Sequence, residues 1–249
     1  DAAPAKPAAP RKVLVLTESA RDLATAAKSP GMKFVPHESA PHCALAIAEM
    51  GKKTGAFDAT LVTDTKALSA EGLAGYDAIV LANVYLEGKF YNTPRDLSVE
   101  QQPAFEAQRK ALLDFVKAGK GIVGIHNATA AALGWPEFNV MIGATHSGIA
   151  WYKHQEVTLR PEDPKHPLNA AFGGKPIVVK DDISSFAGPY SRKSLCVLLG
   201  VDTDSAPESI NLDRADGDYA VSWIKPYGTG RVFQTSLGHN PETFQNAAF

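Results

Sequence analysis

The sequence of 249 residues contains only two cysteines, Cys43 and Cys196. Cys43 falls in an Ala-rich helix pattern and Cys196 in the apolar run SLCVLLGV, so both read as buried small hydrophobes rather than as a bridge or a redox pair. Charge of one sign is also lacking. Lys and Arg number 25 against 27 Asp and Glu, a net charge of −2, with the signs mixed along the chain. Nucleic acids and anionic membranes are met by a basic face, so neither is expected as a partner. No apolar run approaches the roughly 18 residues of a membrane span. The glycine-rich turn of a dinucleotide site is missing after the first apolar run, which argues against a nicotinamide cofactor. There is no internal repeat.

What is present suits a globular α/β chain. Apolar residues make up 45% of it, enough for one domain with a large core or two small ones. Residues 1–11, rich in Ala and Pro, read as a disordered leader, and residues 12–249 as one domain. A start at Asp1 without methionine suggests a signal peptide already removed, hence a periplasmic or secreted protein, with a cytoplasmic one as the alternative. KVLVLT, FDATLVTD, YDAIVLANV and GKGIVGI read as strands. Between them, HCALAIAEMGKKTG places Ala44, Ile47, Ala48 and Met50 on a helical period. A second helix runs from a Ser98 cap, with Gln101 three residues on, to Ala118. This alternation predicts an open, mostly parallel sheet with helices on both faces. In the second half, HQEVTLRP, PIVVK, SLCVLLGV, YAVSWIKPY and GRVFQTSL read as strands with few helices between. The last two form a hairpin turned by Gly228 and Gly230, adding antiparallel strands toward the C-terminal edge. NPETFQNAAF reads as the start of a helix, capped by Asn240 ahead of Pro241.

In such a sheet, functional groups gather beyond the C-terminal ends of the strands. His37, Glu38, Ser39 and His42 follow the first strand, and Asn83, Val84 and Tyr85 the third. His126 and Asn127 follow GIVGI, and His239 follows RVFQTSLG. His126, at a strand-to-helix turn among small residues, has the local form of a nucleophile elbow. A histidine there suits proton transfer near neutral pH or metal binding. His146 follows another small-residue turn in IGATHSG, whereas His154 and His166 read as structural. No HxxxH or HxH pair marks a metal site, and Glu38 and Glu242 are the carboxylates nearest the histidines in sequence. A divalent metal ion therefore stays open as a cofactor. Tyr85, Phe90, Tyr91, Trp151, Tyr152 and Tyr190 read as loop aromatics. Their faces suit a sugar ring, or else they anchor loops on the core. Asp181 and Asp182 are either acid or orienting groups or, more plainly, an exposed loop pair.

Taken in order and spacing, FVPHESAPHCALAIAEMG, FVKAGKGIVGIHNAT, HPLNAAF and DYAVSWIKPYGTGRVFQTSLGH resemble the trehalose-utilisation (ThuA-like) family. The resemblance implies a class I glutamine-amidotransferase-like, flavodoxin-like fold and a role in bacterial disaccharide utilisation, notably with sugars oxidised at the 3-position. It picks out His37, Glu38, Ser39, His126, Asn127 and His239. Amidotransferases carry a cysteine at the elbow and a His-Pro-Glu sequence near the C-terminus. Here His126 stands at the first place and His239-Asn240-Pro241-Glu242 at the second, so the thiol route to an acyl-enzyme is closed. The expectation is a hydrolase or lyase on a disaccharide or glycoside, in its 3-keto form. His126 and His239 would be its acid–base pair, with Glu38 as a further acid and His37 and His146 as supporting contacts. Ser39, Asn127, Tyr85, Trp151 and Tyr190 would contact the sugar, and a separate sugar oxidoreductase would perform the oxidation. The rival expectations are a non-catalytic sugar-binding or scaffold protein and a metal-dependent hydrolase.

Overall fold

A computed structural model describes residues 9–17, 39–84, 102–206, 210, 212, 214–246 and 249. His37, Glu38, Tyr85, Phe90, Tyr91 and the Ser98–Gln101 cap lie outside these residues. The strands are β1 (Arg11–Leu16), β2 (Phe57–Val62), β3 (Ala78–Ala82), β4 (Gly121–Ile125), β5 (Thr145–Trp151) and β6 (Glu156–Pro161). They continue as β7 (Ile177–Lys180), β8 (Ile183–Ala187), β9 (Cys196–Val201), β10 (Ala220–Tyr227) and β11 (Gly230–Thr235). The helices are α1 (Ser39–Thr54), the single turn α2 (Ala70–Leu73), α3 (Gln102–Lys117) and α4 (Pro136–Ile142).

Among the described residues, nine strands form one sheet in the order β2-β1-β3-β4-β11-β10-β9-β6-β7, and β5 pairs with β8 in a small second sheet. From β2 to β11 the pairing is parallel. From β11 to β7 it is antiparallel. The expected open α/β sheet is present, and its antiparallel part extends well beyond one edge hairpin. The hairpin itself bridges the two parts. Gly228, at φ +61°, turns β10 into β11, and β11 then lies parallel to β4 in the middle of the sheet. A strand paired on both sides must bury its residues, and Val232, Gln234 and Thr235 are buried.

Strand periodicity of two sorts side chains onto two faces. Leu14, Leu16, Ile79, Leu81 and Ile122 pack against Leu112 and Val116 of α3 and Phe138 and Met141 of α4. Their alternates Val13, Val15, Val80, Ala82 and Ile125 pack against Cys43 and Ala44 of α1. Helix α3 buries Phe105, Arg109, Leu112 and Val116, a stripe spaced at three to four residues. Each fully buried Leu or Ile contributes roughly 1.5–3 kcal/mol, and both faces are used, which fixes the strand register.

Several expectations need correction. Trp151 is not a loop aromatic. It ends β5, has 0% exposure, and meets Tyr219 edge-on at 5.5 Å in a core with Leu159, Ile183 and Val221. IGATHSG therefore leads into a strand, a segment whose small and polar residues hide its period. Cys43 is buried, and burial pushes its thiol up to about 12. Cys196, in contrast, is exposed at the start of β9. Pro241–Gln245 is a short 3-10 turn rather than an α-helix. Asn240 does not cap it by side chain but donates to the carbonyls of Lys153 (2.8 Å) and Lys180 (2.9 Å). No described helix is long and apolar enough to cross a membrane.

Candidate functional site

The peptide leaving β4 turns sharply at His126, whose φ is +50°. A non-glycine residue there carries strain of about 1–2 kcal/mol, the backbone state of an elbow. The ring is 3% exposed. Its Nδ1 lies 2.8 Å from the carbonyl of Ser236. A carbonyl can only accept, so Nδ1 carries the proton, and in the neutral ring Nε2 carries the electron pair.

His239 meets that nitrogen. Its Nδ1 is 3.2 Å from His126 Nε2, with ring centroids 5.0 Å apart at 90°. The same Nδ1 is 2.7 Å from Asp182 Oδ2. The ligand-type atoms of His126, His239 and Asp182 all lie within 4.8 Å of one another. One hydrogen on His239 Nδ1 thus sits between two acceptors, and the shorter distance assigns it to Asp182. Burial would raise the Asp182 carboxyl. The hydrogen bond from His239, the positive charge that His239 or His126 carries when protonated, and the Lys153 amide outweigh burial and hold it below the usual carboxylate range. Asp182 is therefore ionised at neutral pH, while its Oδ1 is buried without a hydrogen bond of ordinary geometry.

Surrounding residues set this geometry. Gly238, at φ +118°, lets the loop after β11 lie against the elbow. A Cβ there would fall 2.9 Å from Ile125 Cγ2 and 3.0 Å from Phe244 Cζ. Asn83, with φ +52°, ends β3 and donates to Ser39 Oγ and to the Gly238 carbonyl. Asn83 thus links that loop to α1 through the buried Ser39. Asn127 is half-buried in the turn beside His126. His146 lies on β5, near enough to Asp182 to feel its charge. Burial lowers its proton affinity, and the Asp182 carboxylate opposes this.

The remaining candidates are elsewhere. Tyr190 donates to Asp218 (2.6 Å) and stacks on Phe186, in a cluster with Arg192 and Arg214. His42 is exposed, and His154 is exposed and stacks on Tyr152. His166 accepts from the Leu168 amide, capping the turn Pro167–Phe172, the structural role expected of it. Glu242 is exposed, so the described carboxylate at the histidines is Asp182, set aside in the sequence as part of an exposed pair. Its one local signal is a pair of acids directly after the apolar run of β7. Its burial comes from a loop some 57 residues away, as the Asp181–Gly238 contact shows.

The three ligand-type atoms also have the spacing of a cation site. Two ligands at bonds of about 2.1 Å stand roughly 3.0 Å apart at right angles and roughly 3.4 Å apart in a tetrahedron. The observed 2.7 and 3.2 Å suit adjacent positions on one ion. The His126 Nδ1–H bond to Ser236 is the outer contact that orients a metal-binding imidazole.

Sheet and site together define an open α/β protein with a histidine, in place of a thiol, at the strand-to-helix turn. The family model for trehalose utilisation (ThuA) matches residues 29–249, and the chain belongs to that family. Among solved structures, a ThuA-like protein of Bacteroides uniformis is 20% identical with a TM-score of 0.69, over 99% of this chain and 90% of the other. A ThuA-like protein of Parabacteroides merdae is 17% identical with a TM-score of 0.58, over 93% and 80%. A β-galactosidase from a Rahnella species aligns over 95% of this chain and 30% of its own, at 13% identity and a TM-score of 0.55. At these identities the likeness concerns the fold alone. No curated protein matches the chain.

Proposed function

We propose that this protein is a carbohydrate-processing enzyme acting on a disaccharide or glycoside in its 3-keto form, with His239, Asp182 and His126 as its reactive centre. The observation that carries the reading is His239 Nδ1 at 2.7 Å from Asp182 Oδ2 and 3.2 Å from His126 Nε2. With its Nδ1–H held by a carboxylate, neutral His239 keeps its electron pair on Nε2, the form of a general base. Asp182 also stabilises the positive charge that grows on the ring.

A keto group at C3 acidifies the C2–H. His239 takes that proton, a C1=C2 double bond forms, and the C1–O bond to the leaving sugar breaks. The departing oxygen takes a proton from Glu38, or from His126 when that ring is in its imidazolium form, protonated on Nε2 as well as Nδ1. Water then adds across the double bond, so the net change is hydrolysis. Positioned acid–base groups of this kind contribute about 10²–10⁴ in rate. The oxidation that supplies the keto group belongs to a separate sugar oxidoreductase.

A second reading is favoured by the ligand-like spacing: a divalent cation replaces the shared proton among His126, His239 and Asp182. One experiment separates the readings. Chelator-treated protein is assayed on 3-keto-trehalose and on trehalose, with and without added Zn²⁺ or Mn²⁺. Turnover of the keto sugar alone, independent of metal, is the expected result. Turnover restored only by metal supports the cation reading. Binding of the keto sugar without turnover under either condition sinks both, and leaves a sugar-binding protein.

A further inference from the structure

The chain brings two neighbouring acids to the histidines, and they do different work. Asp182 faces the His239 ring. Asp181 has 0% exposure and faces the main chain. Its Oδ2 accepts from the Gly238 amide (2.8 Å) and from the Thr243 hydroxyl. Its Oδ1 accepts from the His239 amide (2.9 Å) and from the Asp182 amide (2.8 Å). Both oxygens are occupied by donors, and the residue is out of reach of any substrate.

A sealed carboxylate costs folding free energy unless its surroundings compensate it. Burial pushes the Asp181 carboxyl above its usual range, and the donors from Thr243, Gly238, His239 and Asp182 act against that. These bonds have one geometric consequence. The carboxylate holds the backbone of His239 and the backbone of Asp182, the two residues whose side chains make the 2.7 Å contact. The geometry points to Asp181 as a positioning residue that fixes His239 against Asp182 and the elbow, rather than as a second catalytic acid. The inference rests on the proposed reactive centre for its meaning in catalysis, but its geometric content stands without it.

Thr243, in the 3-10 turn after His239, extends the clasp. Loss of an outer contact of this kind typically costs 10–100-fold in activity or metal affinity. The Asp181→Asn change keeps the shape but turns an amide NH₂ toward groups that are themselves donors. Two readouts test it at one fixed pH near neutrality: ¹⁵N chemical shifts of the His126 and His239 rings, and turnover of the keto sugar. In Asp181→Asn the His239 ring shifts move, and kcat falls about 30- to 100-fold with KM within about threefold. In Thr243→Val the same shifts move less, with a loss of about threefold. Leu159→Ala, a cavity in the core beneath the antiparallel strands, lowers stability but leaves the ring shifts in place. Ring shifts unchanged in folded Asp181→Asn overturn the inference. Should that variant fail to fold, unchanged shifts in Thr243→Val overturn it instead. If the wild type turns over no keto sugar, the proposed function fails, while the ring shifts still decide the clasp.

Discussion

The cluster at the His126 turn and the cluster around Arg192 use similar groups in opposite balance. Arg192 binds Glu162 through both terminal nitrogens at 3.1 Å and Asp218 at 2.6 and 2.8 Å. Asp218 also accepts from Tyr190, and Arg214 pairs with Asp216. Donors and acceptors match there, and the Arg192 side chain is 41% exposed. At the histidines, an ionised carboxylate and two imidazoles gather around one hydrogen, with side-chain exposures of 6% for Asp182 and 17% for His239. A matched, wet network adds modest stability and has no reason to react. A group of electron-rich atoms with too few protons, beside a strained backbone, is the kind of place where a proton or a cation is exchanged.

The largest expected effect that would break this contrast is on His239. His239→Ala should lower keto-sugar turnover by about 10³, with a thermal midpoint near that of wild type; activity within tenfold of wild type would remove the ring from the chemistry. Trp151→Ala, a core change in neither cluster, should cost about 3–5 kcal/mol in chemical denaturation while turnover per folded molecule is kept. If folded Trp151→Ala instead shows weakened sugar binding, the tryptophan has a role that its burial denies. Asp182→Asn removes the charge that orients His239 and should cost about 10² in kcat. Steady-state kinetics on purified, folded variant protein reads this directly. Arg192→Ala should cost about 1 kcal/mol or less and leave turnover within about twofold. A large catalytic loss there would put Tyr190 and its neighbours back in the site.

The smallest effect is a pH slope. His146 has its proton affinity lowered in the fold, first by burial and against the charge of Asp182. Above the ordinary value of 6.5, folded and unfolded chains both hold it neutral. As pH falls through that value, the unfolded chain takes the proton first, so stability is lost on acidification. His146→Gln should flatten the fall in thermal midpoint just below pH 6.5. An unchanged slope would show that other groups govern that window.

Much of the fold is legible because strand burial is a local pattern. KVLVLT, YDAIVLANV and GKGIVGI are continuous apolar runs, and each becomes a strand covered on both faces. Strand β5 was not legible, since its Thr, His, Ser and Gly residues carry no clear alternation of apolar and polar residues. The central placement of the hairpin was not legible either, because a sequence fixes that two strands pair but not what lies on their other sides. Within the site, His126 and His239 follow buried runs and were visible for that reason. Among the aromatics Trp151 misled, since it ends β5 inside the core, whereas Tyr190 does lie in a loop, held there by Asp218.

By itself the sequence determined the strands of the nine-stranded sheet, the turn at His126 and the histidine after β11, since short-range periodicity and small-residue punctuation encode them. Only the tertiary structure decided that Asp182 is the carboxylate partner and that Asp181 holds the loop in place. The physical reason is burial. The dipeptide after β7 becomes dry and hydrogen-bonded only when residues 238–243 close over it, and no local pattern reports a contact made across that separation.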